Sequence, residues 1–227
     1  MRSRVKPNEI SSTQPTSSSV FWKWVLNCTL GELIGFGGLP VFGAVLVLAV
    51  TASAEPGPRS LLLYGTAIVG GLGEGAVLAW FQLRVLRHLY PNLNRTRWVL
   101  ATALAASFAW MAGYLAPTLD DLFDISTATQ IAIWIPAGVL ILLSIGTAQA
   151  WVLRDVVERP SYWFLANIVG WLLGLIWTFL LPALVPESAP MPVWVSVFVV
   201  AGVLMGTTVG VVTAFVLVRL SPKTVVS

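Results

Sequence analysis

Six long apolar stretches constrain this chain more than any other feature of its sequence. Each is long enough for a helix to cross the hydrocarbon core of a bilayer, which takes about 20 residues. Charged residues make up only 10% of the chain, against about 25% in a soluble domain, so they cannot cover a water-facing surface. The sequence therefore predicts an all-α, polytopic membrane protein. Its spans are expected at roughly 21–52, 60–84, 97–117, 129–153, 162–185 and 193–219.

The first stretch is longer than one span requires, and it contains GFGGLP at 35–40. Proline bends a helix, so we expect a single kinked span, with a re-entrant or broken helix as the alternative. ASA at 52–54 resembles a signal-peptidase site, but the preceding apolar run exceeds the about 7–15 residues of a signal peptide. We therefore predict that this span is retained. Residues 1–19 and 220–227 are predicted to be cytoplasmic tails, the first of them disordered because it is polar and rich in Ser, Thr and Pro.

The basic residues predict the orientation. All but one of the 13 Lys and Arg residues fall on one side of the predicted spans, and the exception is Arg59. Because Lys and Arg resist translocation, we expect both termini in the cytoplasm, at a bacterial inner or thylakoid-type membrane. The opposite side carries acidic residues, namely Glu55, Asp120, Asp121, Asp124 and Glu187.

A short motif recurs at the ends of the even-numbered spans. It reads QLRVLR at 82–87 and QAWVLR at 149–154, and TAFVLV at 213–218 falls in register with both. Self-similarity of this kind indicates internal repeats. We expect the Gln and Thr side chains that open the motif to form hydrogen bonds between helices rather than to bind a ligand.

The odd-numbered spans repeat as well, since each opens with a tryptophan. The chain is therefore predicted to contain three hairpins of one orientation within a transmembrane domain at 20–219. Their bounds are about 20–87, 97–154 and 162–219. Parallel repeats favour a bundle with a pseudo-threefold axis along the membrane normal, and an unclosed row of hairpins is the alternative.

Glycines at fixed distances from these motifs predict close helix packing, because small residues let two backbones approach each other in lipid. The candidates are Gly31, Gly35, Gly71, Gly138, Gly170, Gly174 and Gly202. The recurring Trp and Arg residues predict interface anchors, with indole N–H groups in water and guanidinium groups at lipid phosphates. A ligand-binding set of arginines is the alternative. The anchors are Trp24, Trp98, Trp163, Arg87, Arg154 and Arg219.

The segment that joins QAWVLR at 149–154 to WFLANIVGWLLG at 163–174 resembles a diffuse group of multi-pass membrane proteins. These proteins are common in cyanobacteria and largely uncharacterised. The resemblance covers most of the chain through short motifs. The first copy departs from the pattern at Arg84 and the third at Phe215, and the third also lacks the Gln. It implies a multi-pass fold and no particular activity.

Two carboxylates lie inside predicted spans, Glu32 in the first and Glu74 in the second. At about 1.5 Å per residue, both lie near the middle of the bilayer and within about one turn of the same level. An ionised acid is costly there, which favours a proton-binding pair or an acid that holds a cation or an amine. The alternative is a neutral pair bonded to Asn27, Thr66 or a backbone carbonyl. The aligned positions of the other hairpins are Ala106 and Trp171 for Glu32, and Ile141 and Met205 for Glu74, so the pair belongs to one hairpin.

Residue types needed for most chemistry are scarce. A single Cys and a single His exclude an internal disulfide and make a metal or haem site built by the protein improbable. The spans contain no Ser–His pair, paired Asp or zinc-ligand set, so we predict no enzyme, catalytic residue or cofactor, and no nucleic-acid partner. The expected function is that of a membrane scaffold, assembly or interaction partner. Its partners are the lipid bilayer and, in that role, other membrane proteins. The alternative is a small proton- or cation-linked transporter that uses Glu32 and Glu74.

Overall fold

Six α-helices make up nearly all of the chain that the structure describes. The computed structural model describes residues 17–53 and 55–223. All six helices are long and apolar enough to cross a membrane, which confirms the predicted all-α architecture. The helices are α1 Ser17–Val50, α2 Pro56–Leu89, α3 Arg95–Phe123, α4 Thr127–Leu153, α5 Pro160–Ala183 and α6 Met191–Leu217.

Local sequence explains where several helices begin. The side chain of Asn94 accepts the backbone N–H of Arg97 at the start of α3, and Ser126 accepts that of Thr129 at the start of α4. Such caps satisfy donors that have no partner within the helix. Helices α2, α5 and α6 carry proline in the first turn, where it removes no helical hydrogen bond.

Helix α1 is one continuous helix. It runs through Pro40 to Val50, so the alternative of a re-entrant or broken segment at 35–40 is wrong. It begins at Ser17, so residues 17–19 of the predicted disordered tail are helical. The remainder of that tail lies outside the described residues, as does the end of the second tail, residues 224–227.

The helices form a closed ring. Each helix packs against its neighbours in sequence, and α6 packs against α1. The alternative of an unclosed row of hairpins is therefore wrong. Among the described residues, the Cα atoms of helices that are not neighbours in the ring stay more than 8 Å apart. Side chains must therefore fill the axis. The relation of the hairpins by a threefold axis stays a prediction.

Glycines allow the close approaches within the ring. A Cβ on Gly31 would lie 3.1 Å from Leu78 Cα, and one on Gly35 would lie 3.0 Å from the backbone oxygen of Glu74. Six of the seven predicted packing glycines are closely packed. For five of them an atom lies within 3.3 Å of the position that a Cβ would take, and for Gly170 the nearest atom is at 3.4 Å. The prediction is wrong for Gly138. No atom lies within 4 Å of its Cβ position, so no neighbouring helix packs on that face of α4. Besides Gly31 and Gly35, the closely packed glycines are Gly71, Gly170, Gly174 and Gly202.

The two ends of the ring differ in charge. We call the end with the connections 90–94 and 154–159 the basic end, and the end with the connections 51–55, 124–126 and 184–190 the acidic end. At the basic end the chain folds back after α6, where Lys223 N donates to Val156 O at 2.9 Å. Burial raises the pKa of Tyr90 to about 12, so its protonated hydroxyl donates to the Leu220 carbonyl oxygen at 3.2 Å. The first residues of the predicted second tail are thus fastened to the bundle.

We predict that Gly75→Ala destabilises the ring, because the added Cβ would lie 2.7 Å from Ala103 Cα and from the backbone oxygen of Thr102. Forcing α2 away from α3 should cost about 1–3 kcal/mol, as overpacking of a core does. Thermal unfolding in detergent measures the loss. Gly138→Ala is the matched control and should be neutral or stabilising by up to about 1 kcal/mol, since alanine favours helix. Equal changes in the two variants would contradict this account of the packing.

Candidate functional site

Three tryptophans meet on the axis near the basic end. Trp24, Trp98 and Trp163 are each 0% exposed, and the Trp163 ring centroid lies 5.4 Å from that of Trp24 and 6.2 Å from that of Trp98. We call these residues the tryptophan cluster. The prediction that they anchor the interface with solvated N–H groups is wrong, because the starts of α1, α3 and α5 turn them inward to fill the axis. The tryptophans exposed near this end are Trp22, Trp80 and Trp151.

The predicted arginine anchors are placed differently from the tryptophans. Arg87, Arg154 and Arg219 are all exposed at the basic end. The guanidinium of Arg154 lies 5.1 Å from the ring centroid of Trp151, which is a cation–π contact. This position, one turn from an exposed indole, suits a side chain that reaches toward lipid phosphates.

A hydrogen-bond network surrounds the tryptophan cluster. Trp24 Nε1 donates to Thr213 Oγ1 at 2.8 Å, and Trp163 Nε1 donates to Gln149 Oε1 at 3.1 Å. The amide of Gln149 donates in turn to Gln82 Oε1 at 2.9 Å. These contacts place the Gln and Thr residues of the repeated motif between helices, so the basic half of the axis is held by polar bonds in a dry environment.

The network leaves one donor without a partner. Trp98 Nε1 is buried and makes no hydrogen bond, whereas the indole N–H groups of Trp24 and Trp163 both find an acceptor. Between the cluster and the basic end, the axis is closed by the leucines of the repeated motif, which are at most 2% exposed. These are Leu86, Leu153 and Leu217.

The two acids of the first hairpin meet farther along the ring. Glu32 and Glu74 are 1% and 4% exposed, and their carboxyl groups interact across the interface of α1 and α2. Neither oxygen of Glu32 has a hydrogen-bond partner of regular geometry. Glu74 Oε2 accepts the indole N–H of Trp110 from α3 at 2.6 Å. The structure thus brings together the two acids that the sequence placed at one level.

The hydrogen-bond partners of these acids differ from those named in the neutral alternative. Asn27 donates to the Lys23 carbonyl oxygen at 2.7 Å, one turn back on α1, and it makes no bond to Glu32. The partner that sequence reasoning missed is Trp110. A signal was available, because an indole in the middle of an apolar span needs an acceptor for its N–H and few acceptors exist at that depth.

A cavity of about 260 Å³ occupies the axis beside the acid pair. Side chains of all six helices line it, and most of them are apolar or aromatic. Glu74 lies in its wall, as does Trp171, whose indole N–H is buried and has no partner. The four residues that align in sequence with the two acids all line the cavity, namely Ala106, Ile141, Trp171 and Met205.

A second cavity of about 330 Å³ adjoins the first on the side of the acidic end. The two share Phe36, Trp110, Tyr114 and Phe198. The second cavity extends between the later part of α1 and the start of α6, where Leu48 and Met191 lie. The axis is therefore filled in the basic half and hollow from the acids toward the acidic end.

The described residues contain no group of three or more His, Cys, Asp and Glu that could hold a metal ion. Comparison of the chain with protein-family models, with curated proteins and with solved structures finds no match. Fold and site together define a polytopic helical membrane protein with an axial cavity and a buried acid pair. The function has to be argued from the chemistry of that site.

We predict that the three tryptophans of the cluster respond unequally to phenylalanine. Trp24→Phe and Trp163→Phe each leave a buried acceptor without its donor, which costs about 1–3 kcal/mol beyond the loss of packing. Trp98→Phe removes a donor that already lacks a partner, so it should cost only the packing term. Thermal unfolding of the three variants under one detergent condition measures the difference. Equal destabilisation by all three would contradict the network.

Proposed function

We propose that this protein is a non-catalytic interaction protein of the bilayer, a scaffold or assembly partner, whose ring holds a small lipophilic molecule in its axial cavity. One observation carries the proposal: all six helices line a single, largely apolar cavity. Binding pockets are typically concave and apolar, with a few convergent polar groups that orient the ligand. Glu74 and the unpartnered N–H of Trp171 are such groups here.

The filled half of the axis supports binding rather than passage. A channel or an open carrier needs a polar route through both halves of the ring. In the described residues the basic half is closed by the tryptophan cluster and by leucines that are at most 2% exposed. A cavity with a closed base retains a ligand, whereas a continuous pore conducts it.

The orientation of the ring rests on charge alone. The concentration of Lys and Arg at the basic end supports the placement of both termini in the cytoplasm. The second cavity, which reaches Leu48 and Met191, then lies toward the opposite face of a bacterial inner or thylakoid-type membrane. The partners are bilayer lipids and, in the scaffold role, other membrane proteins. The likeness to cyanobacterial multi-pass proteins stays a prediction.

We predict that Gly113→Leu removes a bound small molecule. Gly113 lines the cavity, and a Cβ there would contact only the Ile141 side chain, at 3.6 Å, so a larger residue fills the space with little clash. Native mass spectrometry of protein released from mild detergent should show an adduct on the parent chain that the variant lacks.

Gly65→Leu is the matched control for the cavity-filling variant. Gly65 is an exposed glycine of α2 with no atom within 4 Å of its Cβ position, so this variant should keep the adduct. The same adduct on both variants would place the ligand outside the cavity. If the parent chain is found with other protein subunits but with no small molecule, the proposed ligand is refuted and only the scaffold role remains.

A small proton- or cation-linked transporter is the second candidate, and the contact between Glu32 and Glu74 favours it. An acid pair at one level of a helix ring is a suitable carrier for a proton or a cation. Transport would require the basic half to open in another conformation.

We predict for this second candidate that a Glu32→Gln and Glu74→Gln double variant loses proton movement. The measurement uses proteoliposomes loaded with a pH-sensitive dye and an imposed pH gradient. Lipid vesicles without protein give the background. If the parent chain and the double variant both match that background, transport by the acid pair is refuted and the binding role remains.

A further inference from the structure

We propose that the axial cavity binds a monovalent organic cation, a protonated amine or a quaternary ammonium group, against the Glu32–Glu74 pair. This inference rests on the proposed binding function and names the class of its ligand. Three features carry it: the acids, the residues around them and the charge at the acidic end of the ring.

The acid pair has unused capacity to interact with a ligand. Glu32 is 1% exposed, and apart from the contact of its carboxyl group with that of Glu74 neither of its oxygens has a hydrogen-bond partner of regular geometry. Besides Glu32, Glu74 has only the Trp110 indole as a donor from the described residues. Groups buried to this extent are nearly always paired, so an unpaired carboxyl group indicates a missing partner. Glu74 borders the cavity and can receive that partner from a ligand, while Glu32 interacts with Glu74 from outside the cavity lining.

The six described helices carry no basic residue at the depth of the acids. Along α1 and α2 the sequence has none between Lys23 and Arg59, or between Arg59 and Arg84. The later spans have none between Arg97 and Arg154 or between Arg159 and Arg219. A negative charge at this depth therefore needs a proton or an external cation, since an unpaired buried charge is costly.

The walls of the cavity favour an organic cation over a metal ion. Trp110, Tyr114, Trp134, Trp171 and Phe36 all line it. Aromatic faces attract a cation within about 6 Å of the ring centroid, and several of them together recognise alkylammonium groups. A hard metal ion would instead need six or more oxygen ligands, which two carboxyl groups and an apolar wall do not supply.

The charge at the acidic end has the sign that attracts such a ligand. The helix ends and connections there carry five carboxylates and one basic residue, Arg59. A surrounding of one sign raises the local concentration of the opposite charge and speeds its entry. The acids concerned are Glu55, Asp120, Asp121, Asp124 and Glu187.

The test compares two probes of nearly the same shape in lipid nanodiscs. Benzyltrimethylammonium carries the positive charge, and neopentylbenzene has carbon in place of its nitrogen. Because Trp110 and Trp171 line the cavity, tryptophan fluorescence reports occupancy. The fluorescence change that remains in the Gly113→Leu variant measures partition of the probe into lipid, and it is subtracted from the change in the parent chain. We expect the cation to bind at least about tenfold more tightly than its neutral analogue, a difference of ~1.4 kcal/mol.

Variants then assign the preference to the acids. Glu74→Gln keeps an oxygen that can accept from Trp110 but removes the charge, so it should reduce the preference for the cation by about tenfold or more. Glu32→Gln should reduce it as well. Glu158→Gln, at an exposed acid of the basic end, is the control and should leave the preference unchanged. Circular dichroism and thermal unfolding show whether each variant is folded.

Two results would overturn the inference. Equal binding of both probes, with both excluded by Gly113→Leu, would show a cavity for neutral molecules, and the proposed binding function would stand. Failure of benzyltrimethylammonium to bind the parent chain would refute an organic-cation site. The adduct measured on the Gly65→Leu and Gly113→Leu variants would then decide the binding function separately.

Discussion

The structure depends on one constraint: a ring of six helices without a central helix must fill its own axis with side chains. The Cα atoms across the ring stay more than 8 Å apart in the described chain, so small residues cannot close the gap. Tryptophan is the largest side chain, and Trp24, Trp98 and Trp163 span that space in the basic half. Each brings an indole N–H into a dry interior. The Gln and Thr residues of the repeated motif are needed there as acceptors.

The site exists because this filling stops partway along the axis. In the basic half, the aligned positions of the three hairpins carry equivalent residues, three tryptophans and three leucines. At the level of the acids they differ, since Glu32 aligns with Ala106 and with Trp171. Side chains of unequal size and polarity cannot interlock as three identical ones do. The hollow therefore lies where the aligned positions differ, and its one carboxylate, that of Glu74, comes from α2.

The spans could be predicted from the sequence, because an apolar run of sufficient length has few alternatives to a membrane helix. The level of the two acids also followed from residue counting. The direction in which Trp24, Trp98 and Trp163 point could not be predicted. Tryptophan near a span end suits the lipid headgroups and a protein interior equally well, and only the closure of the ring selects the interior. The bond of Trp110 to Glu74 was missed for a related reason, since it depends on how α3 lies along α2.

The same network that fills the axis argues against easy opening of the basic half. To open it, the ring would have to break the bonds of Gln149 to Trp163, Gln82 and Thr102, together with that of Trp24 to Thr213. Each donor or acceptor left unpaired in a dry interior costs about 1–3 kcal/mol. A gap of about 5.5 kcal/mol between two states already corresponds to a population ratio of roughly 10⁴. Exchange of the proposed ligand through the acidic end would break none of these bonds, so under this proposal the cavity fills and empties while the basic half stays closed.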